Sequence, residues 1–192
     1  MNPKPAEKVV VGVTGGSGVI YGIRLLEVLK KHKIETFLVV SPSAGITIKA
    51  ETDHGVSYLE KLATKTFRFN DIAAPISSGS FLFDAMVVIP CSMHTLGALA
   101  SGTADNLITR AAEVTLKERR TLIVVPRETP MTLIHLENMV KIAHAGAIVV
   151  PAMPAFYHRP KSLDDIINHL VGKVLDLLGV KHDEFTRWNG LA

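Results

Sequence analysis

The chain's 192 residues, 47% of them apolar, suffice for one domain with a sizeable core and would be cramped for two, and a mean hydropathy of +0.28 is high for a soluble monomer, which points to apolar surface covered by sister subunits. The formal charge of +3 is modest and the lysines and arginines are scattered or sit near turns, so nucleic acid is disfavoured and a small anionic ligand is the better partner for those cations. The single cysteine, Cys91, excludes an internal disulfide, and no cleavable signal or apolar span of about 18 residues is visible, so no membrane span and a cytoplasmic setting are expected.

The first pattern, residues 9–22, is VVVGVTGGSGVIYG. Val9, Val10, Val11 and Val13 form a β-branched run of the kind that makes a buried parallel strand, broken at once by Gly15, Gly16 and Gly18. A helical pattern follows, with Ile23, Leu26 and Leu29 on one face. Strand, glycine turn and helix start in sequence gather free backbone N–H groups and the positive end of a helix dipole at one point, which suits a phosphate. Such turns also occur for packing alone. A dinucleotide site further wants an acidic residue about 20 residues on, at the end of the second strand, to hold a ribose. The second strand, residues 36–40, ends in Ser41-Pro42-Ser43 without a carboxylate, so NAD is disfavoured and FMN moves ahead.

Ser41 is an N-cap with Pro42 at the first helical position, and a helix over 43–51 is expected. Residues 52–84 are the least regular: TDHGVSYLEKLA reads as helix, TFRF as a short strand and NDIAAPISSGSF as a turn-rich loop too long to be idle. A buried strand over 85–90 leads into Cys91-Ser92-Met93-His94-Thr95 and a short helix. A further helix is expected over 104–119, then a strand over 121–126 running into Arg127-Glu128-Thr129-Pro130. A helix over 132–145 stops at Gly146, a strand over 147–151 leads into PAFY, and Ser162 caps a long helix that stops at Gly179. The expectation is a single domain, 1–192, with a core of about 9–180 and a tail over 181–192.

Strands alternating with helices imply a doubly wound parallel sheet, a Rossmann-like (flavodoxin-like) three-layer α/β/α sandwich with right-handed crossovers. Ligands collect outside the carboxyl ends of such strands. Each unusual cluster, the TGGSG turn, Ser41, PCSMHT, RETP and PAFY, follows a strand, so together they form one rim and one site.

Individual residues allow two readings. Arg127 and Glu128, fixed by the strand before them, form either a cap on the next helix or, favoured here, an anion clamp beside a proton-transfer acid. Arg110 and Lys117, two turns and about 10 Å apart on one helix, read on spacing alone as a solvated face. Lys173, among Leu170, Val171 and Val174, reads by itself as a snorkelling surface lysine. The Tyr157 phenol either fills a gap or binds a phosphate oxygen. Cys91 reads as a small buried hydrophobe and not a nucleophile, with only His94 nearby as a base. The eight histidines show neither His-Glu-x-x-His nor a Cys/His ligand spacing, so no catalytic metal is expected.

Taken together, TGGSGVIYGIRLLEVL, ETD at 51–53, SSGSF, PCSMHTL, NLITRAAEVTLKERR, RETPM, HLENM, PAFYHRP and a late RW closely resemble the UbiX-type flavin prenyltransferases, long described as flavin-containing aromatic acid decarboxylases. The resemblance spans about 9–188 in the family's order. It implies transfer of a dimethylallyl group from dimethylallyl phosphate to N5 and C6 of reduced FMN, with release of phosphate and no metal. The product, prenylated FMN, would serve a separate UbiD-type decarboxylase. By motif, Gly15, Gly16, Ser17, Ser41, Ser92, Met93, His94, Thr95 and Arg127 would hold FMN. Tyr157 and Lys173 would bind the prenyl phosphate, with Arg110, Lys117 and Glu128 as catalytic helpers and Glu128 moving protons. A homododecamer with sites between subunits is also implied.

Two departures stand out. Gly16 replaces the alanine of the family's common TGASG turn, and Ile72 stands where some members carry tryptophan. Competing readings are direct decarboxylation on FMN, which would want a P-x-x-x-N-x-x-M loop where this chain has PAFYHRP, and a carrier of prenylated FMN.

Overall fold

The computed structural model describes residues 5–190, so the two ends of the expected 1–192 span lie outside the described residues. Strands β1 (Lys8–Val13), β2 (Glu35–Val40), β3 (Lys65–Phe67), β4 (Ala85–Cys91), β5 (Thr121–Pro126) and β6 (Ile148–Val149) form one sheet in the order β3-β2-β1-β4-β5-β6. Every neighbouring pair is parallel. The helices are α1 (Val19–Lys31), α2 (Pro42–Glu51), α3 (Val56–Leu62), α4 (Met93–Ser101), α5 (Leu107–Lys117) and α6 (Leu133–His144) between strands, and α7 (Leu163–Leu177) after the last one.

The strand pleat sorts the core. Val9, Val11, Val13, Val87 and Ile89 point to one face, where they pack with α1 and α7 residues such as Leu26 and Val174. Val10, Val39, Met86 and Val88 point to the other, against Leu107, Ala111 and Val114 of α5. Because both faces are covered, β1 and β4 read as unbroken apolar runs instead of alternating ones. This is the three-layer, doubly wound architecture expected.

Local signals account for most boundaries. The Ser41 hydroxyl accepts from the Ala44 N–H at 3.1 Å, and Pro42 opens α2. After α6, Gly146 takes φ 105°, and the Gly146 and Ala147 N–H groups reach back to Ala143 and Ile142 carbonyls in a Schellman closure. Gly179 ends α7 the same way. Helix α5 is shorter than the expected 104–119: Asn106 takes the Ile108 and Thr109 N–H groups, which starts the helix after it, and Arg119 at φ 56° stops it. Likewise Gly55 is the N-cap of α3, so Asp53 and His54 lie before the helix and not in its first turn.

Candidate functional site

The chain leaves β1 toward β2 and β3, then returns to place β4 on β1's other side, so the carboxyl ends of β1 and β4 define the topological switch point. One buried hydroxyl ties those ends together. Thr14 Oγ1 donates to the Pro90 carbonyl and accepts from the Ser92 N–H, both at 2.7 Å. The glycine turn lies directly above. A Cβ on Gly15 would fall 2.6 Å from Ser43 Cβ and Oγ, so the absence of a side chain lets β1's turn touch the start of α2. Gly16 is different: a Cβ there would meet Pro90 and Ser92 at an ordinary 3.6 Å.

The start of α1 departs from the expectation of free amides. The Glu51 carboxylate, from the last turn of α2, accepts from the Gly18 N–H at 2.8 Å and the Val19 N–H at 3.2 Å. A carboxylate is the charge this helix end favours, and it occupies the place where the sequence alone put a phosphate. An external anion at this rim is left the other donors: the Gly15–Ser17 backbone, one hydroxyl of the Ser41–Ser43 pair, whose oxygens lie 3.0 Å apart, and the starts of α2 and α4.

Those donors surround a cleft of about 490 Å³ lined by Gly15, Ser41, Ser43, Ser92, His94 and Thr95, with Phe69, Ala98, Asn106 and Thr109 completing it. The size and the mixture of apolar walls with a few convergent polar groups suit a small cofactor. Ser92 caps α4 by accepting from the Thr95 N–H at 3.3 Å and donates to Thr95 Oγ1, so SMHT presents a helix start to the cleft. Met93 turns inward against the α5 side of the core. Hydroxyl and amide donors of this kind match the phosphate, ribityl and ring edges of FMN.

A second hollow, of about 270 Å³, adjoins the glycine turn and is lined by Arg127, Glu128, Met131, Pro151, Ala152 and Met153 among others. Arg127 Nε donates to the Ser17 carbonyl at 3.2 Å, which places the guanidinium against the turn. The Glu128 carboxylate accepts from the Thr129 N–H at 3.1 Å. Each of the two charges therefore has its own partner, which argues against the simple Arg–Glu capping pair.

Tyr157 and Lys173 meet around one histidine. The Tyr157 hydroxyl lies 2.7 Å from His169 Nε2, and its ring stands edge-on to Trp188 at 5.9 Å between centroids. Lys173, one turn beyond His169 on α7, reaches Asp176 at 3.3 Å. Arg187 and His182 of the tail bind the same carboxylate at 2.7 and 3.1 Å. Burial acts to raise the Asp176 carboxyl, and the hydrogen bonds from Arg187, His182 and Lys173 outweigh it, holding it at about 2.

Lys117 is not brought to this rim within one chain, and Arg110, the residue after the cleft-lining Thr109, is engaged by partners outside the cleft. Helix α5 starts at the cleft with Asn106 and Thr109, and Lys117 lies roughly 16 Å further along its axis. There it pairs with Glu118, whose carboxyl it lowers by hydrogen bonding and charge. Arg110 donates to the Ser77 carbonyl at 3.2 Å and pairs with Glu113 at 2.7 Å, while Arg120 holds the Gly79 and Phe81 carbonyls. These cations fasten and flank the SSGSF loop. Cys91 is buried and burial alone pushes its thiol up to about 12, which agrees with the packing reading.

Several contributors escaped the sequence reading. Phe69 carries no chemical signature, whereas Thr14, Glu51, Asn106 and Thr109 stood inside the TGGSG, ETD and NLITRAAEVTLKERR motifs without a role of their own.

The flavoprotein family model matches residues 2–175. A probable UbiX-like flavin prenyltransferase of Bacillus subtilis (strain 168) is 52% identical over 184 residues, 96% of this chain and 90% of that protein. Among solved structures, AnUbiX in complex with FMN and dimethylallyl pyrophosphate is 48% identical, with a TM-score of 0.95 over 97% of this chain and 99% of that one. A dodecameric FMN-dependent UbiX-like decarboxylase from Escherichia coli O157:H7 is 47% identical, with a TM-score of 0.93 over 95% of this chain and 100% of that one. Identity of this level across almost the whole sequence, on a rim built as described, makes the chain a member of the UbiX-type flavin prenyltransferase family.

Proposed function

We propose that this protein is a flavin prenyltransferase that moves a dimethylallyl group from dimethylallyl phosphate onto reduced FMN, without a metal, and passes prenylated FMN to a UbiD-type decarboxylase. The observation that carries this reading is the Arg127–Ser17 hydrogen bond, which ties the hollow that holds Glu128 to the same glycine turn whose Gly15 lines the donor-rich cleft. On this reading the flavin site and the acid–base site are held by neighbouring parts of one glycine turn.

In this reading Gly15, Gly16, Ser17, Ser41, Ser92, Met93, His94, Thr95 and Arg127 hold FMN, which when bound in its reduced form supplies the nucleophilic N5 and C6. Tyr157 and Lys173 receive the prenyl phosphate. Breaking an allylic C–O bond puts charge on the departing phosphate, and fixed cations and hydroxyl donors in a site shielded from water stabilise that charge. Glu128 delivers a proton to the leaving group and takes one up later. Lys117, remote from the rim of its own chain, and Arg110, whose guanidinium is engaged by Ser77 and Glu113, act at the site of a neighbouring subunit. A homo-oligomer, a dodecamer like the E. coli structure, supplies that neighbour. The exposed row Leu133, Ile134, Leu136 and Val140 on α6, with Met153 and Phe156, is the kind of apolar surface such an assembly covers.

The chain acts as one flavoprotein domain in the cytosol. No helix among the described residues is long and apolar enough to cross a membrane, and the lone thiol is buried and unpaired.

Incubating purified protein with reduced FMN and dimethylallyl phosphate under anaerobic conditions is expected to release phosphate and yield a heavier flavin. Carbon dioxide from an added aromatic acid with unmodified FMN would instead support a decarboxylase. Neither product would support a carrier. Glu128→Gln is expected to lower turnover about a hundredfold while FMN binding is kept. Parent-rate turnover by that variant would remove Glu128 from the proton steps.

A further inference from the structure

The mechanism above uses the Tyr157 hydroxyl as a donor to a phosphate oxygen, yet the structure engages that hydroxyl with something else. His169 Nε2 lies 2.7 Å from it. His169 is 7% exposed, whereas Tyr157 is 45% exposed, so the tyrosine borders solvent while the imidazole bonded to its hydroxyl is buried. The geometry points to His169 as the positioning residue of the phosphate subsite, setting which way the Tyr157 hydroxyl proton faces. This inference rests on the reading of Tyr157 as a phosphate ligand.

A phenol at this distance from an imidazole can share the bond in two senses. If Nε2 carries a lone pair, the Tyr157 O–H donates inward and presents only lone pairs to the pocket, which repel a phosphate. If Nε2 carries a proton, it donates to the phenol oxygen, and the O–H is free to donate outward to phosphate. His169 thereby converts its own protonation or tautomer into the donor or acceptor character of Tyr157. Phosphate binding and a proton on Nε2 favour each other by linkage.

The groups around His169 set the balance. From its loop come Tyr157 and His158, the latter stacked on the His169 ring at 4.8 Å and 6°. From the tail comes the Phe185 ring at 4.8 Å, with His182 and Arg187 behind it on Asp176. Its own helix contributes Lys173 and Asp176. Burial, then the His158 and Lys173 charges, lower the His169 pKa, and Asp176 opposes them. The imidazole is therefore mostly neutral near pH 7 until an arriving phosphate dianion favours the Nε2 proton. The stacked rings fix its plane, so the phenol has one direction in which to look for its partner.

The test is a double-mutant cycle on the full-length, FMN-loaded protein, using Tyr157→Phe, His169→Phe and the pair. Calorimetry measures dimethylallyl phosphate binding from about pH 6 to pH 8. Phenylalanine at 169 keeps the ring packing and removes the hydrogen bond. Each single change is expected to weaken binding about tenfold, the scale of one hydrogen bond, and the double no further. The parent is expected to gain affinity toward pH 6 relative to both single variants, whose profiles follow the ligand's own ionisation. His169→Gln, whose amide can donate to the phenol, should recover most of the affinity without the pH dependence, and it covers the case in which His169→Phe folds poorly.

Losses that multiply in the double variant, or a His169→Phe profile that overlays the parent's, would overturn the pairing. Coupled binding in a parent that transfers no prenyl group to reduced FMN would sink the transferase reading and leave the pairing standing. A parent that does not bind dimethylallyl phosphate at all removes both.

Discussion

The Glu51 carboxylate sits on the backbone N–H of Gly18, 2.8 Å away, and thereby closes the positive end of α1 with a charge from the last turn of α2. Two elements distant in sequence are fastened at the glycine turn. Glu51→Ala is expected to cost about 1 kcal/mol of stability, the usual value of a helix cap, measured by chemical denaturation. The same variant exposes the Gly18 and Val19 amides to outside anions. Inorganic phosphate should then raise its melting temperature by more than it raises the parent's, and equal shifts in the two proteins would contradict this account.

The two neighbouring glycines of the turn should respond in opposite senses. Gly16→Ala places its methyl group at ordinary contact distance from Pro90 and Ser92, in a backbone conformation open to any residue. It is expected to stabilise by about 0.4–1 kcal/mol by restricting the unfolded chain, with FMN affinity maintained. Gly15→Ala drives its methyl group against Ser43 at 2.6 Å, including the backbone carbon at 3.2 Å. It is expected to destabilise by about 1–3 kcal/mol and to weaken FMN binding, because the turn and the start of α2 must separate. A melting curve with and without FMN for each variant decides the matter.

The burial that pushes the Cys91 thiol up to about 12 leaves almost no thiolate at neutral pH. The native protein should therefore resist iodoacetamide until it is unfolded, and Cys91→Ala should transfer prenyl groups at close to the parent rate. Rapid alkylation accompanied by loss of turnover would restore the nucleophile that the packing denies.

Asp176 predicts an acid limit for the tail's attachment to α7. Its carboxyl lies at about 2 against an ordinary 3.8, so the folded state holds the charged form more tightly than the unfolded one. A depressed carboxyl contributes stability above the ordinary value and loses it as pH falls from about 3.8 toward 2. Asp176→Asn lacks that titration. Its unfolding midpoint in urea should drop less than the parent's between pH 4 and 2, and parallel declines would show that the carboxyl's partners contribute nothing net.

Architecture, the glycine turn and the Ser41 and Ser162 caps were legible in the residues because each is a local choice. Valine runs bury on both faces, a short hydroxyl takes the first free amides of a helix, and a glycine accepts a left-handed φ that others avoid. The family, too, was legible, because its motifs hold their order along almost the whole chain. Tertiary structure decided what depends on distance through space. That a carboxylate from α2 fills the amides at the start of α1, that Arg127 lies against Ser17, that His169 backs Tyr157 and that Lys117 ends far from the rim all depend on how separate stretches of the chain are placed in space. Propensity and periodicity act over one or two turns, whereas an electrostatic partner is chosen by the packed arrangement of whole elements, and only the folded sheet sets that arrangement.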